Sequence, residues 1–213
     1  MWNLIQNATD QLGDWAANWW FIAVIFTVAY LDSIIPAVPS ETSVIIGAVA
    51  VSVGEAPYPL IAVIVAGATG AFLGDNTAYL IGRRFAPWFE RRAAKREKSA
   101  KRLEWARHQL VLRGGPLLIT ARFIPGGRSI ITISSGITRQ SHPWFAKWVA
   151  IAAVIWATYA AGLAFIVGQP FEDNHTAAFW VAFLTALAVN VLVEVVRHIR
   201  SRRAEERGVE AVQ

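Results

Sequence analysis

Apolar residues in this chain come in long blocks rather than in alternation. Residues 19–30, 42–53, 60–81, 144–167 and 177–196 hold at most one charged residue apiece, and proline, glycine and ionisable residues collect between them. Such blocks predict helices, and at ~1.5 Å rise per residue a helix of about 20 residues crosses a ~30 Å hydrocarbon core. The blocks at 60–81, 144–167 and 177–196 are long enough to span. Residues 19–30 read as a first span, extended at its ends and stopping at Leu31 and Asp32.

Two stretches do not fit a clean crossing. After Asp32 the chain runs through Pro36 and Pro39 to Glu41, and the apolar run that follows, 42–53, has twelve residues, only ~18 Å of helix. Residues 116–137 repeat the pattern, with two short apolar arms around Ile124-Pro125-Gly126-Gly127. Each predicts a re-entrant hairpin, the first at about 32–54 and the second at about 115–138. The expected fold is an all-α polytopic membrane protein with two opposed re-entrant hairpins packed among transmembrane helices. Hairpins approaching from opposite faces point to an inverted repeat, the arrangement transporters use to place a site near the midplane.

Composition supports the membrane class. Of 213 residues, 55% are hydrophobic and only 16% charged, and many of the ten tryptophans (Trp19, Trp20, Trp144, Trp148, Trp180) flank apolar runs as interfacial anchors do. The absence of cysteine removes disulfides, thiolate metal sites and thiol catalysis together. Residues 1–14 lack the positive start and small-residue cleavage site of a signal peptide, so the first apolar block is expected to be retained.

Charge sets the orientation. No lysine or arginine precedes Arg83, residues 83–113 are dense with them, and 197–207 are basic again. By the positive-inside rule both segments, and both termini, are expected on the cytoplasmic side, with Glu172 and Asp173 outside. Within this basic segment, 83–113, Phe89, Ala93, Ala100, Leu103 and Leu110 recur at helical spacing from Pro87 to Arg113, which predicts an amphipathic helix on the inner leaflet ended by Gly114-Gly115. Residues 201–213 are expected to be a disordered basic tail. A net charge of +5 placed this way suits anionic lipid headgroups, and no nucleic-acid partner is expected.

The candidate chemistry lies in charges at membrane depth: Asp32, Glu41, Asp75, Arg122 and Arg128. A carboxylate in low dielectric exchanges protons near neutral pH, whereas arginine stays charged and offers a planar fork of donors to phosphate. Asp32 and Glu41 are therefore assigned to proton handling and Arg122 and Arg128 to anion binding. Gly126 and Gly127 let backbone N–H groups converge on the same anion. Asp75 is grouped with these acids for proton coupling but reads as the weakest member, a hydrogen-bonded acid at a packing kink. The rival reading is that acids and arginines only hold the hairpins together by pairing. His108, His142, His175 and His198 show no ligand spacing, so neither metal nor cofactor is assigned, and Ser134-Ser135-Gly136 suits helix packing better than nucleophilic catalysis.

Three strings together resemble a known family. Pro39-Ser40-Glu41 follows an upstream acid, Gly74-Asp75-Asn76-Thr77-Ala78-Tyr79-Leu80-Ile81-Gly82-Arg83 comes next, and Arg122-Phe123-Ile124-Pro125-Gly126-Gly127-Arg128 precedes Gly136. This order resembles the DedA family, also called SNARE-associated or VTT-domain proteins, with residues 1–200 as a single membrane domain. Two positions depart from the family pattern: Ser40 stands where glycine is usual, and Asp32 where glutamate is commoner.

The resemblance implies a bacterial inner-membrane protein that moves polyprenyl phosphate or another phospholipid between leaflets, dependent on protons. It also implies that Asp32 and Glu41 match the family's essential acids, and Arg122 and Arg128 its essential arginines. Anionic inner-leaflet lipids, and further copies of the chain, are the other expected partners. A non-enzymatic flippase is thus the leading expectation. A membrane-homeostasis scaffold, a proton or ion antiporter and, least favoured, a lipid phosphatase are its rivals.

Overall fold

The structure, a computed structural model, describes residues 15–35, 40–95, 114–123 and 127–169, with scattered helical positions at 100, 101, 104, 105, 108, 110, 181 and 184. Every regular element among the described residues is helical. In chain order they are α1 (Phe21–Ile34), α2 (Ser40–Ser52), α3 (Leu60–Arg84), α4 (Ala86–Ala94), α5 (Pro116–Thr120), a 3-10 turn (Ala121–Phe123), α6 (Gly127–Ile137) and α7 (His142–Gly168).

Among the described residues, only α3 and α7, with 25 and 27 residues, are both long and apolar enough to cross a membrane. At 14 and 13 residues, α1 and α2 reach only about 20 Å each. Local chemistry sets the ends. Pro59 enters α3 in an extended conformation, and Arg83 and Arg84 close its last turn, where a cation meets the negative end of the helix dipole. Pro143 lies in the first turn of α7, where its missing N–H costs nothing.

The central element is α3, which packs against α1, α6 and α7, while α2 packs on α7 and α1. Close approach is made possible by glycine. A β-carbon at Gly70 would collide with the Phe26 carbonyl, and one at Gly74 with the Tyr30 carbonyl. Further along, Gly82 faces the Ile133 carbonyl of α6, and Gly136 of α6 faces the Tyr79 carbonyl of α3. On α7 the inward stripe is alanine, with Ala153, Ala157, Ala160, Ala161 and Ala164 all buried. In a bilayer, where lipid tails are as apolar as leucine, such small-residue seams supply the packing contacts that hold helices together.

Two apolar clusters result. One joins α1, α2, α3 and α7 around Ile25, Val44, Ile45 and Val63. The other gathers Tyr79, Leu117, Leu118, Ile131 and Phe145, with the Tyr79 and Phe145 rings stacked at 4.5 Å. Asp75 lies between them on α3, one turn from Ala71 of the first cluster and one turn from Tyr79 of the second. The loop entering α3 is tied down by Tyr58, whose buried hydroxyl donates to the Ala16 carbonyl at 2.7 Å. Burial pushes that hydroxyl up to about 12, so it remains a donor.

One expectation is corrected. The first helix does not stop at Leu31 and Asp32 but continues to Ile34, which buries Asp32 in its last turn. The helix read from the basic segment has its first residue beside Pro87. Arg83 and Arg84 complete α3, and a new helix starts at Ala86, because Pro87 cannot donate into a continued ladder. Most of the remainder of 96–113, the block at 177–196 and the tail at 201–213 lie outside the described residues.

The glycine seams predict a sharp contrast. Gly82→Val or Gly70→Val forces backbone apart and should cost about 1–3 kcal/mol, seen as a lower melting temperature of the purified protein in detergent. Gly162→Ala on α7 meets nothing within 4 Å, so it should leave melting unchanged or raise it, by up to about 1 kcal/mol of helix propensity.

Candidate functional site

Four of the five charges singled out from the sequence meet in one buried cluster. Asp75 on α3 accepts from Arg122 Nη1 at 2.6 Å through Oδ2. Its other oxygen, Oδ1, lies 3.7 Å from Arg128 Nε, and Arg128 Nη2 is 3.0 Å from Asp32 Oδ2. The chain Asp32–Arg128–Asp75–Arg122 thus draws on α1, α6, α3 and the 3-10 turn, and its formal charge sums to zero. Both members of the inner pair are almost fully enclosed, at 2% exposure for the Arg122 side chain and 1% for Asp75. Arg128 and Asp32 are more open, at 12% each.

Asp75, which sequence reasoning ranked as the weakest member, is the hub. It is the acid that touches both arginines, because its place in the middle of the central helix lets it face the 3-10 turn and α6 together. A buried pair is stable only if attraction and hydrogen bonds repay desolvation, and here that condition is met incompletely. Arg122 Nε and Nη2 are buried without a hydrogen-bond partner, as is Asp75 Oδ1. In place of a second carboxylate, the Arg122 guanidinium lies over the Trp156 ring of α7, 5.1 Å from its centroid, a desolvated cation–π contact of about 2 kcal/mol.

Glu41 is not in the cluster. It lies partly buried in the first turn of α2 and makes no hydrogen bond or ion pair among the described residues. Its neighbour Ser40 is fully buried and donates its hydroxyl to Asp32 Oδ2, the oxygen that also faces Arg128. The serine that replaces the usual glycine therefore supplies a donor that glycine lacks, and it fixes the start of α2 to the end of α1. Gly127 is the first residue of α6, and Gly126 lies outside the described residues.

Several partners were missed from the sequence. Trp156 reads there as one aromatic among many, and nothing in linear spacing sets it beneath Arg122. Tyr79 carried a signal, since it follows Asp75 at helical spacing. Its hydroxyl donates to the Gln140 carbonyl at 2.6 Å and lies 3.0 Å from Arg83 Nη1, which donates to it. His142, which showed no ligand spacing, pairs with Asn76 at 2.9 Å. Among the described residues no group of three or more His, Cys, Asp or Glu side chains could hold a metal ion.

Two helices long and apolar enough to cross a bilayer, packed with others around a neutral cluster of paired charges, fit a helical membrane protein with an internal ionic site. Comparison with known proteins specifies which. The VTT domain family matches residues 35–166, and the chain belongs to it. An uncharacterized membrane protein of Synechocystis is 26% identical over 202 residues, covering 92% of this chain and 91% of its own. Protein DedA of Escherichia coli is 20% identical over 186 residues, covering 85% of each chain. An alkaline phosphatase-like protein of Lactococcus lactis is 28% identical over 156 residues, covering 69% of this chain and 72% of its own. No solved structure matches the chain.

The cluster predicts strong non-additivity. Asp75→Asn leaves Arg122 buried without its carboxylate and should cost about 3–5 kcal/mol. Adding Arg122→Gln to it should restore part of that loss, and a double-mutant cycle on thermal unfolding in detergent would read the coupling. Simple addition of the two single effects would show that the pair carries no coupling.

Proposed function

We propose that this protein is a proton-linked flippase for polyprenyl phosphate or a related phospholipid in the bacterial inner membrane, with no enzymatic step. The observation that carries the reading is Arg122: a guanidinium held deep among helices with two N–H-bearing nitrogens left without partners. Such a group is costly in an apolar interior and is accounted for by a ligand with phosphate oxygens. Arg128, more open and bridging Asp32 and Asp75, is the first arginine that an arriving headgroup meets. The lipid tail stays in the bilayer throughout, alongside short helices that do not cross.

Proton linkage follows from charge balance. With two carboxylates matched to two guanidiniums, an added phosphate leaves the cluster short of positive charge unless a carboxylate is neutralised. Protonating Asp32 weakens its hold on Arg128 and frees the fork for phosphate, so proton and anion favour one another by reciprocal linkage. In this reading Glu41, partly exposed and without a partner among the described residues, passes the proton between solvent and Asp32, whose carboxylate is held by the adjacent Ser40. Asp75 is the acid that keeps Arg122 oriented while its partners exchange.

The test is leaflet-resolved movement of polyprenyl phosphate in proteoliposomes, with and without an imposed pH gradient. Arg128→Ala should slow movement by about tenfold or more, the loss expected for a hydrogen bond to a charged group. Arg128→Lys, which keeps the charge but not the fork, should fall between. Glu41→Gln should leave basal movement and remove the response to the gradient. Equal movement in all variants, with each shown to be folded, would reduce the cluster to a structural ion pair. Because one relative is named alkaline phosphatase-like, inorganic phosphate release is measured in the same vesicles, and none is expected.

A further inference from the structure

At the Arg83 end of α3, away from the buried cluster, α4 and the turn between α6 and α7 enclose a cleft of about 530 Å³. Pro87 and Glu90 form one wall, and Thr138, Arg139 and Gln140 the other. The turn is a helix-ending motif in which two N–H groups bond back: Arg139 to the Gly136 carbonyl and Gln140 to the Ser135 carbonyl, each at 3.0 Å. That motif sets the intervening residue in the left-handed region, and Arg139 has a φ of 55°. It is the one non-glycine residue with positive φ among the described residues.

Glycine is the residue that fits such a position without strain, so arginine there opposes local preference. Conflicts of this kind persist where the side chain is used. The Arg139 side chain is exposed and its guanidinium makes no hydrogen bond or ion pair among the described residues, so pairing among them does not account for it. The cleft is also held in shape from below. Tyr79 donates to the Gln140 carbonyl, and Arg83 donates to the Tyr79 hydroxyl. Beside it, Phe85 and Trp88 are exposed, with Arg92 over the Trp88 ring at 5.5 Å, an amphipathic surface of the kind that meets lipid headgroups.

We propose that this cleft is a second anion site, separate from the buried arginines, that takes a phosphate group on the planar fork of Arg139 at the membrane surface. The ligand is a phosphate ester, carried by a phospholipid headgroup or by a small soluble molecule. Glu90 also lines the cleft, and its carboxylate disfavours a doubly charged ligand over a singly charged one. A phosphodiester headgroup meets that condition at neutral pH, and a phosphate monoester, with its second ionisation near neutrality, meets it less well.

The experiment titrates the purified full chain in a non-ionic detergent with short-chain phosphatidylglycerol, and separately with inorganic phosphate and glycerol phosphate. Arg139→Gly is the informative variant, because it relieves the backbone conflict while deleting the fork. It should melt at the same temperature as wild type or higher, yet bind the lipid roughly tenfold more weakly, as expected for loss of a charge-assisted contact. Glu90→Gln should bind it more tightly. Wild-type affinity in Arg139→Gly, or no binding by wild type, would overturn the proposal. Binding of glycerol phosphate as tight as that of the lipid, with the same dependence on Arg139, would support the anion site and assign it to a soluble ester. If Arg139→Gly instead melts lower, the backbone argument fails and the proposal with it.

Discussion

Two carboxylates and two guanidiniums shut among apolar helices are tolerable only as a set. Removing either member of the enclosed Arg122–Asp75 pair leaves its partner charged in a medium that cannot solvate it, at a cost of about 3–5 kcal/mol, a large share of the stability of an ordinary domain. The set in turn requires four separate pieces of chain to converge to within ion-pair distance. The glycines of α3 and α6 and the alanine stripe of α7 serve that requirement, since larger residues would hold α1, α6 and α7 too far from Asp75 for the pairs to close. The packing of the protein and the placement of its charges are one constraint.

The cluster is neutral but not saturated: Arg122 has two nitrogens, and Asp75 one oxygen, without a hydrogen-bond partner. Asp75 holds Arg122 by one nitrogen, Trp156 covers its face, and the other two nitrogens are left over. Asp32, by contrast, is shared between Ser40 and Arg128 through one oxygen. One end of the chain of charges is therefore short of acceptors, and the other has an acid whose donors compete. In the proposed flippase such a site would respond to protons at one end and to anions at the other, which is the physical basis of the proposed coupling.

Along α3, Asp75, Tyr79 and Arg83 follow one another at four-residue spacing, covering about 12 Å of helix axis. The stripe joins the buried cluster to the turn that carries Arg139, through the hydroxyl of Tyr79. The string of residues by which the sequence resembles its family is, in space, a single line of polar groups from the middle of the helix to its end.

Much of this was legible in the sequence. The length and apolarity of the blocks at 60–81 and 144–167 determined two long helices, because burial or a bilayer leaves an uninterrupted apolar stretch little alternative to satisfying its own backbone. The run of prolines and glycines determined that the segments at 32–54 and 115–138 would be broken, and the charges flanking them marked the site, since an ionisable residue in an apolar setting must find a partner. The choice of partner was decided by tertiary structure alone. Asp75 rather than Glu41 joins the arginines, Asp32 lies inside a helix rather than after it, and Trp156 covers a guanidinium 34 positions earlier in the chain. Sequence records which residues need partners, but distance between helices, set by how closely their glycines let them approach, determines which ones they obtain.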